Sequence, residues 1–151
     1  MKATAKIGSL LGEKGGSVWS VAPSASVFDA IAEMAEKGVG ALLVMSDGHL
    51  LGIISERDYT RKVILKGHSS KDTRVDEIMT ADVVTATAEE TVEGAMRLMT
   101  ERRIRHLPVV EGERVVGVLS IGDLVKWTIT AQKETIAHLT NYIAGGYGVV
   151  G

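Results

Sequence analysis

A sequence that aligns with itself has to fold as two copies of one unit. Residues 27–61 align with residues 92–126 at a constant offset of 65, without insertion, and nine of the 35 pairs are identical: Val27/Val92, Ala30/Ala95, Met34/Met99, Glu36/Glu101, Leu42/Leu107, Val44/Val109, Gly52/Gly117, Ser55/Ser120 and Asp58/Asp123. Other pairs, among them Ile31/Met96, Val39/Ile104, Ile53/Val118 and Ile54/Leu119, exchange one apolar residue for another. The core pattern is kept while the surface diverges, which points to a pseudo-symmetric pair with duplicated sites. Each copy has about 60 residues, marginal as an independent fold, so the two are expected to share one body.

Of the 151 residues, 45% are hydrophobic and 24% charged, ordinary for a globular protein. The net charge of −2 offers no basic surface to nucleic acid or to an anionic membrane, and neither is expected as a partner. With no cysteine there are no disulfides, thiol nucleophiles or thiolate metal sites. The longest apolar runs, such as Gly38 to Met45, fall far short of a membrane span, and the N-terminal MKATAKIGSLLGEKGGS has no sustained apolar stretch of the signal-peptide kind. The expected location is cytoplasmic.

The periodicity gives both copies the same order. Residues 1–17, with Gly12, Gly15 and Gly16, read as a loop before a short extended segment, Ser17 to Val21. Val27, Ala30, Ile31 and Met34 mark one face of a helix capped by Ser26 and ended near Gly38. Ala41 to Met45 and Leu50 to Ile54 flank Asp47-Gly48 as a hairpin, and a second helix is expected from Ser55 to about Leu65. Polar Gly67 to Arg74 reads as the linker. The second copy replays the plan: an extended piece near Val83 to Thr85, a helix bearing Val92, Ala95, Met96 and Met99, strands His106 to Val110 and Arg114 to Leu119, and a helix from Ser120. The expected divisions are residues 1–66 for the N-terminal segment and first repeat, 67–74 for the linker, 75–130 for the second repeat, and 131–151 for a C-terminal helix and glycine-rich tail. In that last helix Ile129, Ile136 and Ile143 recur every seven residues with Leu139 between them, a stripe that suits its own domain or a second chain.

Both hairpins close on the same motif, Gly52-Ile53-Ile54-Ser55-Glu56-Arg57-Asp58 and Gly117-Val118-Leu119-Ser120-Ile121-Gly122-Asp123. A strand ends at a Ser that opens a helix, and an Asp follows in the first turn. One reading is helix capping, the Ser hydroxyl taking a free backbone N–H and the Asp favoured by the helix dipole. The other is a nucleotide site. Asp is shorter than the Glu or Gln that usually reaches back in a capping box, so its carboxylate is expected to face a ligand. A helix start offers N–H donors to a phosphate, a carboxylate accepts both hydroxyls of a ribose, and Gly52 and Gly117 admit a close backbone or ring.

The run Arg105-His106-Leu107-Pro108-Val109-Val110, followed by Gly117-Val118-Leu119-Ser120 and Asp123 and preceded by Asp76-Glu77-Ile78-Met79-Thr80, closely resembles cystathionine β-synthase (CBS) domains. Two in tandem look like a Bateman module, and the chain is similar to small stand-alone bacterial CBS-pair proteins from about residue 15 to 130. The resemblance implies an α/β (α+β) fold of two pseudo-symmetric β-α-β-β-α units packed sheet to sheet. It implies a regulatory, energy- or redox-sensing module without catalysis, binding AMP before ATP or NAD/NADH and acting on an unknown regulated protein; the homodimer expected of the chain comes from the stripe of the last helix. Carried over, Ser120 and Asp123 hold phosphate and ribose in one cleft bordered by Val18 and Ser20, and Ser55 and Asp58 serve another bordered by Val83 and Thr85. Arg105 and His106 give the second copy a charged clamp where the first has Gly40 and Ala41; Arg57 and Arg61 are the compensating cations, and the Asp123 cleft is expected to be the better occupied.

Other signals carry less. Gly146-Tyr147-Gly148-Val149-Val150-Gly151 spells a dinucleotide fingerprint and is read as an accidental match, no helix being expected after it. His49, His68, His106 and His138 lack ligand spacing, so no metal site is expected. Ser55 and Ser120 have no evident base in sequence, which argues against an enzyme. Trp19 and Trp127 read as packing, with Trp19 beside the expected base crevice.

Overall fold

The computed structural model describes residues 5–14 and 18–146, apart from the side chains of residues 13–14 and 142–146. In order it holds α1 (Ile7–Lys14), β1 (Ser20–Val21), α2 (Val27–Lys37), β2 (Ala41–Ser46), β3 (His49–Ser55), α3 (Glu56–Tyr59) running into a π-helical turn (Thr60–Ile64), α4 (Val75–Ile78), β4 (Ala86–Thr87), α5 (Val92–Arg102), β5 (His106–Glu111), β6 (Arg114–Ser120) and α6 (Ile121–Gly146). The strands form two three-stranded sheets, ordered β1-β2-β3 and β4-β5-β6. Both copies thus show the expected strand, helix, strand, strand, helix order.

Local chemistry accounts for these elements. Asp47 and Gly48 take φ of 52° and 78°, the double left-handed turn that Asp-Gly favours in a two-residue hairpin. Ser26 Oγ accepts the Asp29 N–H at 3.1 Å to open α2, and Gly38 closes it at φ 69°. In the second copy Thr91 Oγ1 accepts the Gly94 N–H at 2.9 Å, while Arg103 holds the left-handed closing position at φ 55°. One residue explains why the edge strands differ. Leu43 donates to the Trp19 carbonyl at 3.1 Å, so β1 pairs from Ser20. The position equivalent to Leu43 is Pro108, which has no N–H, and β4 starts one residue later at Ala86, opposite Val109. The strand expected at Val83 to Thr85 is therefore displaced to Ala86–Thr87.

The chain divides into two compact units, Gly16–Thr87 with Pro108–Val118, and Met1–Gly15 with Ala88–Leu107 and Leu119–Gly151. The first is built on Val27, Ala30 and Met34 of α2, Leu42 and Val44 of β2, Ile54 of β3, Val63, and Val75 and Ile78 of α4, all at most 5% exposed. Residues 67–74 are more than a linker. Thr73 is buried, and the Thr73 and Ser70 carbonyls accept the Val27 and Phe28 N–H groups at 2.8 and 3.0 Å, which satisfies two of the orphan donors of α2. Gly52 admits the next segment: a Cβ there would lie 2.6 Å from Met79 Sδ and 2.8 Å from the Thr80 carbonyl. Across that gap Ile53 and Thr80 exchange N–H···O bonds of 3.0 and 2.9 Å.

In the second unit the expected N-terminal loop is the helix α1. Ile7, Leu10 and Leu11, spaced three and four apart, are 0%, 4% and 8% exposed, and this burial outweighs the cost of Gly8 and Gly12 inside a helix. Gly8 permits the approach, since a Cβ there would stand 3.0 Å from that of Ala88. The leading segments mirror each other at the helix caps: Lys6 bridges Thr91 before α5, and Arg74 bridges Ser26 before α2. At the other end α6 runs 26 residues, so residues 131–146 continue the helix that opens after Ser120. The remaining tail, with the fingerprint beyond Gly146, and Ser17 of the first extended segment lie outside the described residues.

Candidate functional site

The two Ser-x-x-Asp motifs form capping boxes. In the first copy Ser55 Oγ accepts the Asp58 N–H at 3.2 Å, and Asp58 Oδ2 accepts the Ser55 N–H at 2.9 Å and its hydroxyl at 3.1 Å. In the second, Asp123 Oδ2 accepts the Ser120 N–H at 2.8 Å, and Ser120 Oγ accepts the Asp123 N–H at 3.0 Å. The expectation that Asp is too short to reach back is overturned. Ser55 leaves β3 in an extended conformation, φ −127° and ψ 166°, which turns its N–H over the first turn where the short carboxylate meets it. The capping geometry is real in both copies. It leaves acceptor capacity, because a carboxylate has about four lone-pair sites.

Strand starts are tied to the same corners. The Arg105 carbonyl accepts the Ile121 N–H at 2.8 Å, joining the start of β5 to the start of α6. Gly40 does the same for Glu56 at 3.1 Å, and Ala41 pairs with Ser55 across β2 and β3. The structure therefore gathers Arg105, His106, Ser120 and Asp123 at one corner, with Arg105 exposed and His106 half-buried. It gathers Gly40, Ala41, Ser55, Arg57 and Asp58 at the other, with Arg57 exposed. Val18, Ser20, Val83 and Thr85 stand on or just ahead of the short edge strands β1 and β4. Trp19 lies under a cation, the Lys37 ammonium 4.5 Å from its ring centroid.

Sequence reasoning missed Lys62. Its Nζ stands 3.1 Å from Asp58 Oδ1 and donates to the Ile78 carbonyl at 2.8 Å. The i,i+4 spacing of Asp58 and Lys62 was a readable signal; the link to Ile78 was not. The equivalent residue in the second copy is Trp127, so the two boxes differ in charge as well as in their flanking strands. Among the described residues no group of three His, Asp or Glu side chains could hold a metal ion, and no helix is long and apolar enough to cross a membrane.

The CBS domain model matches residues 17–64 and 75–129, and the chain belongs to the CBS-domain family as a tandem pair. It is 46% identical over 127 residues to the mitochondrial CBS domain-containing protein CBSX3 of Arabidopsis thaliana, which covers 81% of this chain but only 62% of that protein. A solved CBS-domain protein of Burkholderia ambifaria, described provisionally as acting in signal transduction, shares 47% identity and a TM-score of 0.81 over 84% of this chain and 96% of its own. The CBS domain pair of protein MJ0100, solved with 5'-methylthioadenosine and S-adenosyl-L-methionine, shares the fold at a TM-score of 0.74 and 23% identity, over 83% of this chain and 97% of its own.

Proposed function

We propose that the chain is a non-catalytic regulatory module that binds an adenine nucleotide, AMP ahead of ATP or NAD/NADH, at the Ser120-Asp123 corner. The observation that carries this reading is the convergence there of a carboxylate, a helix start and the Arg105-His106 strand start, tied by the Ile121 to Arg105 bond. The carboxylate would accept ribose hydroxyls, and the cation and helix N-terminus would face phosphate. The compounds bound by the MJ0100 pair share the adenine and the ribose diol, though neither carries a phosphate. Ligand would act by preferring one arrangement of the module over another, and so alter its contacts with a regulated protein. We place it in the cytoplasm; the mitochondrial address of CBSX3 makes an organelle the alternative compartment.

The closed capping boxes favour a second reading, an oligomerisation module whose Ser-x-x-Asp motifs only end strands and start helices. Thermal melts with AMP, ATP and NAD separate the two. A ligand at 100 times its dissociation constant adds about 2.7 kcal/mol to the folded state, and the absence of a shift with all three would favour the structural reading. An enzyme is disfavoured because the Ser120 hydroxyl oxygen is engaged as acceptor of the Asp123 N–H, which weakens it as a nucleophile.

A homodimer through α6 belongs to the same proposal. Ile129, Ile136 and Leu139 are 47%, 63% and 56% exposed, beside a groove of about 460 Å³ lined by Val92, Met96, Trp127 and Ala131. Ile136→Glu is expected to turn a dimer into a monomer in sedimentation velocity without lowering the melting temperature of the monomer. A dimer of unchanged mass would remove the stripe from the interface.

A further inference from the structure

We propose that α6 pairs with the α6 of a second copy as a parallel, two-stranded coiled coil in register. This rests on the reading above that the chain forms a homodimer through α6, and it fixes the direction in which the two helices run. Leu124 and Ala131 anchor the first half of α6 in its own unit, at 0% and 6% exposed. Beyond Ala131 every described side chain as far as Asn141 is exposed. The helix nonetheless continues to Gly146 through Thr135, Thr140, Asn141, Gly145 and Gly146, all weak helix formers. A stretch of that length and composition is marginal alone in water, so its stability has to come from packing.

The exposed seam is heptad-spaced. Ile129 and Ile136 take position a, with Ile143 next in sequence, and Val125, Gln132 and Leu139 take position d. Val125 shares the exposure of Ile129, Ile136 and Leu139. Ile at a with Leu at d suits a two-stranded parallel pair. Gln132 sets the direction. In parallel register it meets the partner's Gln132, and each amide can donate to the other's oxygen. Run antiparallel with full overlap, the layers become Ile129 on the partner's Leu139 and Gln132 on the partner's Ile136, which buries two amides against apolar side chains. The same arrangement brings Lys133 beside the partner's Lys133 at the centre of the seam, like charge on like. Gln132 and Ile136 also line the groove against α5, so a helix seated on the seam covers that groove too.

The chain has no cysteine, so an introduced thiol can bridge only to another introduced thiol. Leu139→Cys and Ile129→Cys, both at exposed positions, are made separately, mixed under reducing conditions so that subunits exchange, and then oxidised; intact mass identifies the covalent dimers. In a parallel seam each position faces itself, within the Cα separation of about 4.4–6.8 Å that a disulfide spans. In an antiparallel seam two copies of position 139 stand ten residues apart, roughly 15 Å, and only 129 to 139 can bridge. The expected products are 139-to-139 and 129-to-129 dimers with no mixed species. Ala137→Cys, exposed but at position b, is expected to give no covalent dimer. A mixed 129-to-139 product, or a wild type that sediments as a dimer while neither variant cross-links, overturns the parallel seam. A wild type that sediments as a monomer overturns the homodimer reading itself, and the coiled coil with it.

Discussion

Asp123→Ala is expected to weaken AMP binding roughly five- to 150-fold. Removing the acceptor leaves two ribose hydroxyls poorly paired, a loss on the order of 1–3 kcal/mol. The same substitution opens the capping box, since Asp123 Oδ2 holds the Ser120 N–H at 2.8 Å. A loss of affinity could thus be confused with loss of the helix start. Asp123→Asn separates the two effects. Its amide oxygen still accepts the Ser120 N–H, so the unliganded melt should stay close to wild type, while the lost charge and the new NH₂ donor oppose the diol. Unchanged calorimetric affinity in both variants would take Asp123 out of the site.

Gly52→Val is expected to lower stability by about 3 kcal/mol, the upper part of the range for overfilling a packed core. A Cβ at this position meets Met79 Sδ at 2.6 Å and the Thr80 carbonyl at 2.8 Å. The methionine can swing aside, but the carbonyl is held by the Ile53 N–H at 3.0 Å, so relief requires breaking the paired bonds between residues 53 and 80. For a chain of this size the melt should fall by roughly 6–12 °C. Gly12→Ala is the contrast. That glycine is exposed within α1 with no atom within 4 Å of its Cβ position, and the change should raise stability by about 0.5–1 kcal/mol. A Gly52→Val melt as high as wild type would show that Met79 and Thr80 are not seated on β3.

These two glycines also show where sequence reasoning reached and where it stopped. Elements governed by near neighbours were legible: the Asp47-Gly48 turn, the Ser26 and Gly38 caps, and the repeat itself follow from rules acting over a few residues. Gly52 was read as a place of close approach, and the approaching group is a backbone carbonyl from 28 residues onward. What was misread depends on distant partners. Helix α1 looked like a loop because glycine weighs against helix locally, whereas its three apolar residues are buried. The segment 67–74 looked like a tether because its carbonyls serve a helix some 45 residues earlier. At the candidate site the Ser and Asp positions were evident from spacing alone. Their mutual hydrogen bonds were misjudged from side-chain length, and the engagement of Asp58 by Lys62 depends on a turn whose π-helical form no local pattern announced.

One consequence follows from α6 being unbroken. Its first turn contains Asp123, and Leu139 lies sixteen residues farther, roughly 24 Å along the axis at 1.5 Å per residue. No proline interrupts that length, so the sequence places no proline kink between the two points. Were the helix start to tilt by about 5°, Leu139 would move sideways by roughly 2 Å, enough to shift the proposed dimer stripe against its partner. A ligand at the proposed Asp123 site would then gain leverage over a partner held at the proposed Leu139 stripe.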